Sequence, residues 1–357
     1  MSITFLKESA FASCMDSAQV VQEIKKAWNL DLKPVHSLPS AYAPKSSLML
    51  FEDNSSRYVL KSVYDAYFTL LTSPEDYSTG IGFFVDTLRN ADLPIVNYLP
   101  TIESRYHHLI GDQRFVLYPF VEAFSFRARN EEIADTATVH GKMNTVLEIL
   151  DEPKAIFIRE HLRNPFLPRA SIEELYQLAT GSLEKYEENS SARKQFDQAL
   201  ILASRTKSIF PDDKYQALPS QICHKDIWPA NILYHENSKV KVVLDPDEMM
   251  HIPRIRDVVY AGWYFATFSE GAREKDFDGE EIRRKVGLYL ENYLAYSSLT
   301  KEELSKFGQV AVRYHIEDLL SYLQHPGLPG EFSNVINIKM KRIYHTQRAL
   351  EEGILRF

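Results

Sequence analysis

The run His224-Lys225-Asp226-Ile227-Trp228-Pro229-Ala230-Asn231 is followed, nineteen residues after Asp226, by Asp245-Pro246-Asp247. An acid, an amide and a second acid at these separations fit phosphoryl transfer. One carboxylate orients a hydroxyl nucleophile and takes its proton, while an amide oxygen and the second carboxylate hold metal. Both are hard oxygen donors. They suit Mg²⁺, which keeps several waters and shares phosphate oxygens. Asp226 is therefore the candidate base, and Asn231 and Asp245 are the candidate Mg²⁺ ligands.

The segment between the acids must position them. Ile232-Leu233-Tyr234 and Val240-Lys241-Val242-Val243-Leu244 are short β-rich runs around the polar turn His235-Glu236-Asn237-Ser238-Lys239, which predicts a hairpin. A hairpin folds the chain back on itself, so Asn231 at its start and Asp245 at its end become neighbours. An Asp-x-Asp after a strand is, on its own, only a turn. The preceding His-x-Asp-x₄-Asn at this distance is what gives it chemical meaning.

Over residues 221–262 the chain resembles the aminoglycoside phosphotransferase and choline kinase family, small-molecule kinases that share the bilobal protein-kinase fold. That family usually has His-Gly-Asp-x₄-Asn, a strand ending in Asp-x-Asp or Asp-x-Glu, then a Pro-Arg and an Asp. This chain has Pro253-Arg254 and Asp257. The resemblance implies an α+β fold: a small N-lobe of antiparallel sheet and helix over about 1–118, and a larger, mainly helical C-lobe over about 119–357. It implies Asp247 as a second metal-side carboxylate, and His224 and Asp257 as supports of the loop. It also implies Mg²⁺ with ATP or GTP as co-substrate. The family's glycine is replaced by Lys225, whose side chain crowds and recharges the loop.

The other parts of a nucleotide site are sought N-terminal to this loop. Arg57 to Val63 alternates as a strand would, and makes Lys61 the candidate for the α/β-phosphates. The preceding hairpin, about Leu38 to Glu52, would cover the phosphates with Ser40 and Ser46. It contains no Gly-x-Gly-x-x-Gly, and the chain has no Walker motif. Tyr77, Ile81, Phe84 and Leu88 mark one buried face of a helix. No acid falls between Ser78 and Gly82, where a partner for the lysine is expected, so Glu75 is the nearest candidate. Arg114 to Glu122 reads as a strand entering a lobe linker. By the resemblance, Pro119, Phe120 and Val121 would meet the adenine.

The chain has 357 residues, 45% of them hydrophobic, enough for two lobes with cores. Its formal charge of −8 excludes broad attraction to nucleic acid or an anionic membrane. An acidic surface is compatible with a cationic acceptor. The two cysteines, Cys14 and Cys223, fit no disulfide scaffold or zinc spacing. With no signal-peptide layout and no long apolar run, they point to the cytoplasm. Helices are predicted at about 17–30, 130–150, 258–268, 279–297, 301–325 and 334–353. His140 falls on the apolar face of the second and reads as a core histidine. For the acceptor the candidates are Trp228 as a wall and Glu317 and Asp318 as amine-binding acids, against their reading as a solvated helix face. Acceptors in view are aminoglycoside-like antibiotics, where the activity would be antibiotic resistance, choline-like amino alcohols and homoserine. A nucleotide-binding pseudokinase and a Ser/Thr protein kinase are the alternatives. The second lacks Asp-Phe-Gly, Ala-Pro-Glu and room for an activation loop.

Overall fold

A computed structural model describes residues 17–38, 48–63, 74–111, 113–148, 171–185, 190–246, 249–270, 273–324 and 332–357. Five strands, β1 (Lys33–Leu38), β2 (Leu48–Glu52), β3 (Arg57–Val63), β4 (His108–Ile110) and β5 (Gln113–Pro119), form an antiparallel sheet in the order β1-β2-β3-β5-β4. Strand alternation divides its residues between two cores. Phe51, Leu60, Phe115 and Leu117 pack with Val20, Ile24 and Ala27 of helix α1 (Ser17–Trp28). Leu50, Val59 and Val116 join Ile81, Phe84 and Leu88 of α2 (Pro74–Asn90) in the main core.

Beyond the sheet the chain is mostly helical, as the resemblance implies. Helix α3 (Asn130–Glu148) is followed by α4 (Ile172–Gly181), α5 (Ser191–Thr206) and the short α6 (Asp212–Gln216). Two hairpin-like pairs come next. Strand β6 (Ser220–Cys223) pairs with β9 (Met250–Pro253), and between them β7 (Ile232–Tyr234) pairs with β8 (Val240–Val243). The expected hairpin is therefore present. It is tied to the segment after α2, where Val243 N–H donates to Pro94 O at 2.6 Å and Val96 N–H donates to Val243 O at 2.8 Å.

The C-terminal helices are α7 (Arg254–Thr267), α8 (Gly279–Leu294), α9 (Lys301–Ser305), α10 (Phe307–Gln324) and α11 (Phe332–Glu351). Every residue of α7 is buried. Helices α3 and α8 approach closely at Gly141, where a Cβ would stand 2.6 Å from Tyr293 O. Only glycine fits there, and the contact brings His140 beside α7. Among the described residues no helix is long and apolar enough to cross a membrane.

Three boundaries differ from the sequence reading. Helix α7 starts at Arg254 rather than Val258, so Asp257 lies in its first turn, where a carboxylate is favoured by the helix dipole. The predicted 301–325 helix is two: the Thr300–Glu303 capping box starts a short α9 that ends at Ser305 with Lys306 as its C-cap, and α10 begins at Phe307. Strand β5 stops at Pro119, short of Glu122; proline has no N–H to continue a ladder.

Candidate functional site

The loop from β6 to β7 holds Asp226 by both carboxylate oxygens. Asn231 Nδ2 donates to Oδ2 at 2.6 Å, and Tyr260 Oη donates to Oδ1 at 2.5 Å. The amide of Asn231 thus turns its nitrogen toward Asp226 and its oxygen the other way. Ile232 pairs with Val243, and Leu244 N–H donates to Asn231 O at 2.8 Å. The hairpin therefore sets Asp245 beside Asn231. His224 closes the loop as an Nε2–H tautomer: Nε2 donates to Leu244 O at 3.1 Å, and Nδ1 accepts from Asp226 N–H at 3.3 Å.

Lys225 takes the conformation its position demands, with φ +69°. This is the left-handed region that glycine enters freely and a side chain enters at a cost of about 1–2 kcal/mol. The cost is offset by buried contacts. Lys225 N–H donates to Asp257 Oδ1 at 2.9 Å, and Asp257 Oδ2 is 2.8 Å from His140 Nε2. The other His140 nitrogen meets Tyr289 Oη at 2.7 Å. Burial alone would push the Asp257 carboxyl up. The His140 charge and hydrogen bond outweigh it, so the group titrates below its ordinary range. Asp245 is also left-handed, with φ +61°, a region that aspartate tolerates better than most residues.

Strand β3 delivers Lys61 to this cluster. Its Nζ forms an ion pair with Asp245 Oδ1. The lysine side chain is 10% exposed and the aspartate 29%. At the end of β5, Phe120 N–H donates to Arg57 O at 2.8 Å, and the Arg57 guanidinium stands 4.5 Å over the Phe120 ring. Pro119 offers no N–H and Phe120 has used its own, so Val121 is the one of these three with an amide to offer.

An aromatic wall flanks the loop. The Trp228 ring lies edge-on at 6.2 Å from Tyr264 and 6.1 Å from Phe268, and Tyr260 packs 4.6 Å from Tyr264 and 5.2 Å from Tyr314. Neither acid of α10 lies on a solvated face. Glu317 is buried between Arg313, at 2.8 Å, and Arg256, at 3.3 Å. Its two oxygens are paired with these buried guanidiniums. Asp318 is already paired with Lys339 at 2.6 Å.

Ser40, Ser46 and Asp247 lie outside the described residues, as does the side chain of Glu75 in the first turn of α2. Among the described residues no group of three His, Cys, Asp or Glu side chains forms a metal cluster. Asn231 and Asp245 still fit a divalent ion that takes its remaining ligands from phosphate and water. Tyr260 was not singled out from the sequence as a site residue. Its one legible signal is the Tyr260, Tyr264, Phe268 stripe at i, i+4, i+8, which does not reveal the contact with Asp226.

The model of the phosphotransferase enzyme family matches residues 50–289. The chain belongs to this family. No curated protein sequence matches the chain. The fold of this phosphotransferase is shared with solved structures of low identity. Amicoumacin kinase hAmiN, in complex with AMP-PNP, Ca²⁺ and Ami, has a TM-score of 0.67 at 14% identity, over 93% of this chain and 94% of that one. Spectinomycin phosphotransferase APH(9)-Ia, in complex with ADP and spectinomycin, scores 0.66 at 14% identity, over 96% and 99%. A microcompartment-associated aminopropanol kinase also scores 0.66 at 14% identity, over 96% and 99%. The sheet-plus-helices architecture expected from the resemblance is thus that of a kinase-like phosphotransferase.

Proposed function

We propose that this phosphotransferase moves the γ-phosphoryl group of ATP, or GTP, to a hydroxyl of a small molecule. The convergence of Asp226, Asn231, Asp245 and Lys61 carries this reading. Asp226 orients the hydroxyl and takes its proton. Asn231 Oδ1 and an Asp245 oxygen, with Asp247, would hold Mg²⁺, which supplies charge neutralisation for the phosphates. The Lys61–Asp245 ion pair supports a lysine that grips the same phosphates. His224 and Asp257 brace the loop. Val121 is the linker residue to meet adenine, with Pro119 and Phe120 shaping the edge of that pocket and Ser40 and Ser46 covering the phosphates. A lobe boundary after Tyr118 accords with the end of β5.

The acceptor is received beside Trp228. The similar structures are an amicoumacin kinase, a spectinomycin phosphotransferase and an aminopropanol kinase, which makes amino sugars, amino alcohols and related metabolites the first compounds to try. Two cysteines and a buried, free Cys223 accord with a cytoplasmic setting. The test is mass spectrometry of a metabolite extract, spiked with amino sugars and amino alcohols, after incubation with Mg-ATP. A phosphorylated product that the wild type makes and Asp226→Asn does not is the expected outcome. Mg-ATP binding with no product from any hydroxyl compound would support a pseudokinase instead.

A further inference from the structure

The two oxygens of Asp226 are held from opposite sides, by Asn231 Nδ2 at 2.6 Å and Tyr260 Oη at 2.5 Å. The terminal torsion of an aspartate is otherwise broad, so a carboxylate without these bonds samples many planes. The phenol that holds Oδ1 is itself fixed. Tyr260 sits in all-buried α7, 4.6 Å from Tyr264 on the next turn and 5.2 Å from Tyr314 of α10. Burial first, and the Asp226 charge second, keep it protonated well beyond its ordinary range. It is therefore a donor under all working conditions.

We propose that Tyr260 is a positioning residue for phosphoryl transfer, locking the plane of the Asp226 carboxylate so that the carboxylate meets the incoming hydroxyl at one angle. This rests on the reading of Asp226 as the hydroxyl-orienting group. Tyr260 also starts the Tyr260, Tyr264, Phe268 stripe against which Trp228 packs. The same helix face therefore carries the wall of the acceptor side and the clamp on the base.

Tyr260→Phe keeps the ring and removes only the phenol oxygen. The assay is phosphate release from Mg-ATP with water as acceptor, which needs no identified substrate. In the otherwise native protein, kcat should fall roughly 10-fold with KM for Mg-ATP unchanged, the size expected of a misoriented reacting group. In an Asp226→Ala background the same change should alter kcat by less than about twofold, because the carboxylate it orients is gone. A purely structural tyrosine would lower both backgrounds alike. Equal losses, or a Tyr260→Phe enzyme with native kcat, would overturn the proposal. Equal phosphate release by the native and Asp226→Ala proteins would instead sink the reading of Asp226, and the proposal with it.

Discussion

Two charged clusters meet helix α7 four residues apart, at Arg256 and Tyr260, both packed on Tyr314, and use the same residue types to opposite ends. Lys61, Asp245, Asp226 and Asn231 converge from β3, β8 and the intervening loop, and the Asp245 side chain keeps 29% of its surface open. Arg256, Arg313 and Glu317 come from α7 and α10 and close on one another, with side chains only 1–4% exposed. In the first, the carboxylate of the pair keeps part of its surface open beside the lysine. In the second, every charge is spent on a neighbour. Position along the chain does not separate the two cases; the surface each side chain leaves open does.

This comparison can be broken at several points. Glu317→Ala should cost the most, about 3–5 kcal/mol in urea unfolding, because it takes the carboxylate from buried Arg256 and one of the two from buried Arg313, which keeps Asp212; a stable variant with a raised acceptor KM would instead move Glu317 into the site. Asp226→Ala should lower turnover by at least roughly 10²-fold, or about 2.7 kcal/mol, with the melting temperature maintained. Native-like turnover would remove Asp226 from the chemistry.

His315 sharpens the contrast through pH. Among the described residues neither of its ring nitrogens has a hydrogen-bond partner. Burial, with Arg342, Lys339 and His345 nearby and only Asp318 opposing, lowers its pKa to about 3. Between that value and the ordinary 6.5 the unfolded chain binds a proton that the folded one refuses. Stability from this position is therefore lost as pH falls from about 6.5 toward 3, by up to ~1.4 kcal/mol per pH unit. His315→Leu should flatten the pH dependence of the denaturant midpoint over that window, and an unchanged slope would refute the assignment. The smallest effect belongs to Lys225→Gly, expected to raise stability by about 0.5–1 kcal/mol as relief of left-handed strain exceeds the added freedom of the unfolded chain. A lower midpoint would mean that the buried lysine stem stabilises the loop by more than its backbone strain costs.

What could be read from sequence was local. The Asp226 to Asn231 spacing and the turn between β7 and β8 lie within twenty residues of one another, so hairpin geometry alone brings Asn231 to Asp245. Alternation around Lys61 likewise placed it on a strand. The partners were not readable, because they join distant segments: Lys61 meets Asp245 from 184 residues away, and His140 meets Asp257 from 117. The solvated-face reading of Glu317 does not hold, because a charged residue on an amphipathic pattern does not show whether it faces water or a buried guanidinium. Arg313, one turn earlier, was the available warning. The left-handed backbone of Lys225 was not readable either, because the bond from its N–H to Asp257 comes from a residue 32 positions on.

The two bonds between Val243 and the Pro94–Val96 segment tie the β7–β8 hairpin to the chain that follows α2. The same hairpin is bonded to the loop before it, through Leu244 N–H to Asn231 O and His224 Nε2 to Leu244 O. Asp245, the next residue, is therefore braced from both sides, and Lys61 reaches it from the sheet. A substitution that loosens either set of bonds would shift Asp245 against Asn231 without altering any side chain of the cluster.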